Sequence, residues 1–187
     1  ITMANVVDIY ELSPTQQGML FHTIYAPETG IYFEQRHCLL QGDLDTKAFK
    51  QAWQQVVNRH GVLRTEFHWQ ETDKPLQVVY DTVELPWVEE DWQSFSQTQQ
   101  ADKLETFLTL DRTQGFRLDQ ALLMRCGLFK LGQDTLGHPQ HRFTWSYHHL
   151  LMDGWCNGVL IKEVLATYHA ICRGSSLQLP PPQPYRN

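Results

Sequence analysis

Residues 143–154 read Phe-Thr-Trp-Ser-Tyr-His-His-Leu-Leu-Met-Asp-Gly, and this stretch decides the fold. From Phe143 to His149 the side chains alternate between large aromatic and smaller polar residues, which is the two-residue period of a β-strand. Asp153 and Gly154 then predict a turn, and apolar residues at spacings of three and four predict a helix that ends at Gly174. The stretch therefore predicts a strand, a turn and a helix, with two adjacent histidines where the strand ends.

The two histidines, His148 and His149, point in opposite directions if both lie in the strand. They cannot then converge on one metal ion, and zinc needs three or four ligands at about 2 Å, so the pattern does not favour a metal site. His149 falls on the aromatic side, where loss of solvation disfavours the charged imidazole and keeps it neutral at about pH 7. A neutral imidazole can accept a proton, so we predict His149 as the reactive histidine.

Three neighbours of His149 each allow two interpretations. For His148, a side chain hydrogen-bonded within the scaffold is favoured over a catalytic one, because only one of two opposed rings can face one substrate. Asp153 could orient a base, but a carboxylate just before a helix is also a good cap, so a structural role is favoured. Cys156 could be a nucleophile, yet a small packed helix residue is favoured because the nearby base is already assigned.

Three segments together resemble one known family. The run from His148 to Gly154 fits the HHxxxDG motif of nonribosomal peptide synthetase condensation domains, members of the chloramphenicol acetyltransferase-like superfamily. The segment LSPTQQGMLFH at residues 12–22 resembles the family's first core motif, and RHGVLRTEF at residues 59–67 resembles the second, RHxxLRTxF. The three motifs follow the family's order, and the resemblance covers essentially the whole chain.

The resemblance implies a domain that joins two substrates held as thioesters on the phosphopantetheine arms of carrier domains, with no cofactor bound by the chain itself. His149 would be the active-site histidine, acting as a general base or positioning the amine and steadying the tetrahedral intermediate. One of two arginines in the second motif would pair with a buried carboxylate, although the residues alone equally allow solvated arginines. The supporting residues would be His148, Asp153, Gly154, Arg59 and Arg64.

Finer alternatives concern the reaction. The form Gly-Met-Leu-Phe-His at residues 18–22 resembles the variant found in condensation domains that accept a D-configured donor and an L-configured acceptor. An epimerization domain shares the histidine motif but usually departs from the first and second motifs as they stand here. A third possibility is a non-catalytic lobe that only docks carrier or adenylation domains.

The length suggests that part of the domain is missing. A family member has two lobes of related fold with the substrate tunnel between them, and all three motifs belong to the first lobe. We therefore predict that residues 1–176 are the N-terminal lobe and that the proline-rich residues 177–187, which cannot hold helix or sheet, begin the inter-lobe linker. The isolated lobe would be inactive, and its partners would be the donor and acceptor carrier domains, the missing C-terminal lobe and a neighbouring adenylation domain.

The remaining pattern predicts the α/β class, as a two-layer chloramphenicol acetyltransferase-like lobe with a mixed β-sheet packed against helices. Ser13 with Gln16 predicts a capping box for a helix that reaches about Tyr25. Further helices are predicted from Asp45 to near His60 and over residues 96–110. Strands are predicted at about residues 32–41, 62–69, 76–80 and 85–89, and a long hairpin at 121–130 and 141–149 with a flexible loop at 132–140.

Composition adds bounds. The formal net charge of −6 offers no basic stripe for nucleic acid. No run approaches the ~18 apolar residues of a membrane span, and no leader opens the chain. The four cysteines lack CxxC spacing, which favours reduced, packed thiols in a cytoplasmic protein. The six tryptophans are expected mainly in the core or at the lobe interface.

Overall fold

The computed structural model describes residues 5–152, 157–175 and 179–182. These residues contain two β-sheets and four α-helices. The strands are β1 (Val6–Glu11), β2 (Phe33–Gln41), β3 (Thr65–His68), β4 (Leu76–Tyr80), β5 (Trp87–Asp91), β6 (Met124–Gln133) and β7 (Pro139–His148). The helices are α1 (Pro14–Tyr25), α2 (Thr46–Arg59), α3 (Gln97–Gln114) and α4 (Asn157–Cys172), with short 3₁₀ turns at Pro27–Thr29, Gly61–Arg64 and His149–Met152.

The larger sheet has the strand order β2-β7-β6-β5, and the smaller sheet has the order β1-β4-β3. β5 runs parallel to β6, whereas the other neighbours are antiparallel, so the larger sheet is mixed as predicted. β7 lies inside the larger sheet, where His148 is paired with Phe33 of β2 and the preceding Tyr147 with Met124 of β6. The strand that ends at His148 is therefore held along both of its edges.

The predicted hairpin of β6 and β7 is present but displaced toward its turn, since β6 spans Met124–Gln133 instead of 121–130 and β7 spans Pro139–His148 instead of 141–149. Pairing continues to Gln133 opposite Pro139, so the connecting turn spans only residues 134–138. Asp134 closes this turn, because its Oδ1 accepts the backbone N–H groups of Leu136 at 2.8 Å and His138 at 2.9 Å. Residues 132–133 and 139–140 of the predicted flexible loop are therefore strand, and residues 134–138 form the turn.

The helix starts agree with the sequence prediction. Ser13 Oγ accepts the backbone N–H of Gln16 at 3.2 Å while Gln16 Oε1 accepts the backbone N–H of Ser13 at 3.0 Å, which is the predicted capping box. Asp45 Oδ1 caps α2 by accepting the N–H of Ala48 at 3.0 Å. Ser96 likewise caps α3, which continues four residues beyond the predicted end, to Gln114.

Three further strands differ from the sequence prediction. β1 was not predicted, because its sequence shows no apolar–polar alternation: Val7 and Ile9 are exposed whereas Asp8 is partly buried. Residues 61–64 form a 3₁₀ turn instead of the start of a strand, since the N–H of Leu63 bonds to the carbonyl of His60 at 3.1 Å. β5 begins at Trp87 and not at residue 85, because the N–H of Leu85 is taken by Gln54 Oε1 at 2.9 Å.

An aromatic core joins α2 to the larger sheet. Phe49 and Trp53 of α2 meet Phe143 and Trp145 of β7, with ring centroids 5.1 Å apart for Phe49 and Phe143 and 5.2 Å apart for Trp53 and Trp145. Contacts between aromatic rings stabilise the fold by more than the buried apolar area alone would predict. Trp53, Trp145 and Trp92 are buried, which agrees with the expectation for the tryptophans, and Trp155 lies outside the described residues.

The cysteine prediction holds in part. The three cysteines within the described residues are free thiols, and burial raises the pKa of Cys126. Cys38 and Cys172 are exposed, so the prediction of packed thiols was wrong for these two. Cys156 lies outside the described residues, and its predicted packing stays a prediction. Among the helices that are described, none combines the length and apolar character needed to cross a membrane.

Candidate active site

The backbone of both histidines is fixed by the residues that directly precede the two strands flanking β7. The N–H of His148, the last residue of β7, donates to the carbonyl of Leu123 at 3.0 Å. The N–H of His149 donates to the carbonyl of Tyr32 at 2.8 Å, and the 3₁₀ turn His149–Met152 follows directly. The strand therefore ends between the two histidines.

His148 is held inside the scaffold. Its side chain is buried, and its Nδ1 accepts the backbone N–H of Leu150 at 3.1 Å. Its Nε2 lies 3.4 Å from Thr23 Oγ1, which donates its own hydrogen to the carbonyl of Met19 at 2.8 Å. Burial, with a smaller contribution from the charge of His149, lowers the pKa of His148 to about 4. His148 is therefore neutral and hydrogen-bonded, as the sequence favoured.

The predicted surroundings of His149 require a correction. The alternation of residues 143–149 predicts His149 in the strand, on its aromatic face, but the strand stops at His148 and a 3₁₀ turn begins at His149. His149 is partly exposed, which agrees with the predicted loss of part of its solvation, whereas His148 is buried. The Tyr32 ring stacks beside His149, with centroids 6.3 Å apart and planes inclined by 25°. His149 is thus the more accessible histidine of the pair.

The start of α4 is attached to the same strand. Asn157 Nδ2 donates to the hydroxyl of Tyr147 at 2.5 Å, and Arg36 Nε donates to the same oxygen at 3.4 Å. The predicted helix is present with Leu160 and Val164 buried. It ends before a left-handed glycine, Gly174, whose φ of 67° few other residues tolerate. The residues between the 3₁₀ turn and α4 include Asp153 and Gly154, which lie outside the described residues, so their predicted roles stay predictions.

Arg59 of the second motif pairs with a largely buried carboxylate. Its Nε lies 2.7 Å from Glu163 Oε1 on α4, and the Glu163 side chain is 11% exposed. His60 Nε2 lies 2.8 Å from the same oxygen. Arg59 also donates to the carbonyl of Pro180. One carboxylate thus connects the end of α2 to α4, the helix that follows the histidine motif.

Arg64 has a different environment. It is buried, and its guanidinium donates to the carbonyl of Val57 at 3.1 Å and to the carbonyl of Tyr80. Burial lowers the pKa of Arg64 from its usual value. The two arginines therefore brace α2, Arg59 against α4 and Arg64 against the smaller sheet, and neither is merely solvated.

A cavity of about 250 Å³ adjoins the histidine motif. Its lining includes Thr23, Tyr32, Phe116 and His148. A larger cavity of about 500 Å³ lies at the other end of β7, where it is lined by His141 and several acidic residues. We associate the smaller cavity with the site because His148 of the motif lines it, although the other cavity is larger.

Sequence reasoning missed two residues of the site, Thr23 and Tyr32. Thr23 follows the first motif by one residue, and its contact with His148 spans 125 positions of sequence. Tyr32 was predicted only as the start of a strand, yet it supplies the carbonyl that binds His149 and a ring beside both histidines. An aromatic residue before a strand is a weak signal, and neither contact could be inferred from local spacing.

The model of the condensation domain family matches residues 6–187 of the chain. The chain belongs to the condensation domain family. This condensation domain chain is 41% identical over 186 residues to a linear gramicidin synthase of Brevibacillus parabrevis, a match that covers 100% of this chain and 2% of that protein. It is 37% identical over 180 residues to bacitracin synthase 3 of Bacillus licheniformis, covering 96% of this chain and 3% of that protein. The chain therefore spans a small part of each curated relative.

Solved condensation domains share this fold. The starter condensation domain of rhizomide synthetase RzmA superposes with a TM-score of 0.78 at 23% identity, covering 92% of this chain and 41% of that chain. A four-domain nonribosomal peptide synthetase bound to AMP and glycine gives a TM-score of 0.70 at 20% identity, covering 87% of this chain and 12% of that chain. The predicted chloramphenicol acetyltransferase-like α/β class is confirmed. The condensation domain chain spans less than half of the RzmA domain.

Proposed function

We propose that this chain is the N-terminal lobe of an enzyme domain that forms peptide bonds between two carrier-bound thioesters in nonribosomal peptide synthesis. Membership of the condensation domain family supports the proposal. The observation that carries it is the division between the two histidines. His148 is buried and fully engaged, whereas His149 is partly exposed on a backbone anchored to Tyr32.

The proposed reaction transfers an acyl group from sulfur to nitrogen. The acceptor amine attacks the donor thioester carbonyl, a carbon–nitrogen bond forms, and the carbon–sulfur bond breaks. The nitrogen loses a proton, and the departing thiolate of the donor phosphopantetheine arm takes one up. The chain itself needs no bound cofactor, because both arms belong to the partner carrier domains.

His149 is the proposed active-site residue. An α-ammonium must lose a proton before it attacks, and an imidazole can accept that proton or its hydrogen bond. His148 cannot take this role, because its Nδ1 already accepts a backbone N–H and burial lowers its pKa to about 4. Positioning of the amine and general base catalysis remain alternative descriptions of what His149 does.

The supporting roles fall to residues that hold the motif in place. His148 anchors the end of β7, while Arg59 and Arg64 brace the helix α2 behind it. Asp153 and Gly154 are proposed to shape the turn into α4, with Asp153 in a structural role.

We place the active channel between this lobe and a C-terminal lobe that follows residues 177–187. The 41% coverage of the RzmA domain supports a chain that is one of two lobes. The proposed partners are donor and acceptor carrier domains and a neighbouring adenylation domain, in the cytoplasm. The isolated lobe is proposed to be inactive. The resemblance of residues 18–22 to a variant of the first motif supports acceptance of a D-configured donor and an L-configured acceptor.

The test uses the complete protein that contains this lobe, with both carrier domains loaded with aminoacyl thioesters. We expect a dipeptidyl thioester, detected by intact mass, and a loss of at least about 100-fold in its rate in His149→Ala. His138→Ala, in the turn between β6 and β7, is the matched control and should react normally.

Other outcomes separate the alternatives. Full activity of His149→Ala would defeat the assignment of that residue. Exchange of the α-proton on a single loaded carrier, without amide formation, would identify an epimerization domain. Carrier binding without either reaction would identify a docking lobe.

A further inference from the structure

The hydrogen bonds of His148 allow only one neutral form of its ring. Nδ1 accepts the N–H of Leu150 at 3.1 Å, so Nδ1 carries no proton. A neutral imidazole then carries its proton on Nε2. This buried Nε2–H group needs an acceptor, because a buried donor without a partner is costly.

Thr23 is the acceptor. Its Oγ1 lies 3.4 Å from His148 Nε2, at the long end of the hydrogen-bond range. The hydroxyl has already given its own hydrogen to the carbonyl of Met19 at 2.8 Å, so only its lone pairs remain to face the ring. The hydrogen bonds therefore all point toward α1. The Leu150 N–H donates to the His148 ring, the His148 Nε2–H donates to Thr23 Oγ1, and the Thr23 hydroxyl donates to the Met19 carbonyl.

The arrangement connects two motifs that are far apart in sequence. Met19 belongs to the first motif, and His148 opens the third. The ring of His148 is thus attached to α1, while the backbone of the next residue, His149, is attached to Tyr32. Two attachments, one from His148 to Thr23 and one from His149 to Tyr32, fix where the His149 side chain leaves the backbone.

We propose that Thr23 is a positioning residue, whose hydroxyl accepts the Nε2–H of His148 and thereby fixes the orientation of that ring and the place of His149 in the active site. The inference rests on the proposed function, because it requires His149 to act on the substrates. It also assigns a role to the helix of the first motif, namely to hold the histidine motif through one hydroxyl group.

The first experiment observes the tautomer directly. Nitrogen-15 NMR of the histidine rings in the 187-residue chain should show His148 protonated on Nε2 and not on Nδ1 at pH 7, with a slowly exchanging Nε2 proton. Thr23→Ser keeps the hydroxyl and should retain this proton signal. Thr23→Val has nearly the same shape without the acceptor, so its Nε2 proton should exchange markedly faster with water. A protonated Nδ1 in the wild-type chain would overturn the proposal, and this measurement needs no variant that might fail to fold.

The second experiment measures condensation in the complete protein with two loaded carriers. We expect Thr23→Val to lower kcat about tenfold with little change in KM, since about one hydrogen bond is lost. Thr23→Ser should restore kcat to within about twofold. Wild-type kcat in Thr23→Val, together with an inactive His149→Ala, would overturn the role of Thr23 and leave the proposed function standing. Activity in His149→Ala would instead defeat the proposed function.

Discussion

At the scale of single residues, the two histidines differ because of where the strand ends. His148 is the last residue of β7 and is 4% exposed, whereas His149 begins a 3₁₀ turn and is partly exposed. Burial penalises the charged form of an imidazole, so the buried ring stays neutral over most of the pH range in which histidine normally titrates. Adjacent residues of identical chemistry thereby serve separate purposes.

The low pKa of His148 predicts a pH dependence of stability. Its folded pKa is about 4, below the value of 6.5 expected in the unfolded chain, so the unfolded chain binds more protons between these values. The stabilisation is complete above about pH 6.5 and is lost as the pH falls toward about 4, up to about 3 kcal/mol. Urea unfolding should show this loss in the wild type. His148→Gln, which cannot titrate, should lose correspondingly less, and parallel curves would contradict the prediction.

At the scale of elements, a buried carboxylate holds the helix α3 on the larger sheet. Asp111 near the end of α3 is 5% exposed and accepts hydrogen bonds from Arg125 of β6, Ser146 of β7 and Gln35 of β2. Arg125 also lies over the Phe116 ring, 4.2 Å from its centroid. One carboxylate thus attaches α3 to three strands, including the strand that carries the histidines.

Removal of this carboxylate should destabilise the fold strongly. Asp111→Ala leaves the Arg125 charge without its partner, and a broken buried pair typically costs about 3–5 kcal/mol. The exposed Asp102 on the same helix is the matched control, and Asp102→Ala should change the free energy of unfolding by less than about 0.5 kcal/mol. Denaturant unfolding measures both, and an equal small effect would show that the Asp111 network contributes little.

The contact between α2 and α4 gives a second prediction at this scale. Glu163→Gln removes the charge that Arg59 and His60 share, and we expect a loss of about 2 kcal/mol. Glu11 pairs with Lys74 on the surface, where both side chains are more than half exposed. Glu11→Gln should therefore cost less than about 0.5 kcal/mol. Similar midpoints of urea unfolding for the two variants would contradict this difference.

The sequence predicts what depends on neighbours in the chain. The capping box of Ser13 and the cap at Asp45 need residues only three positions away, and both were predicted correctly. The end of β7 at His148 was not predicted, because the alternation of residues 143–149 does not reveal where pairing stops. The contacts of Asp111 with Ser146 and of Thr23 with His148 join residues 35 and 125 positions apart. Such contacts depend on the tertiary fold, and no local pattern encodes them.

At the scale of the whole molecule, the chain covers less than half of a solved condensation domain, although it has its own aromatic core and two sheets. A core of this kind is sufficient for one domain-sized unit to fold. The proposed channel, in contrast, needs walls from both lobes. Folding and catalysis are therefore expected to have different minimal lengths.

This difference can be measured. The 187-residue chain should unfold cooperatively in urea yet give no dipeptidyl thioester with two loaded carriers, whereas a protein extended through the second lobe should give the product. Product formation by the short chain, abolished by His149→Ala, would contradict the expected inactivity of the single lobe. Non-cooperative unfolding of the short chain would show that its core depends on the second lobe.

The position of β7 between β2 and β6 has a consequence for how this lobe tolerates insertions and deletions. Because side chains alternate along a strand, a slip of one residue in the pairing of β7 would exchange the surroundings of the two imidazoles. His149 would then be buried instead of His148. An edge strand can slip by breaking its hydrogen bonds to one neighbour, whereas β7 must break its hydrogen bonds to both β2 and β6. Length changes should therefore accumulate in the turn at residues 134–138, where they leave both ladders and the identity of the exposed imidazole intact.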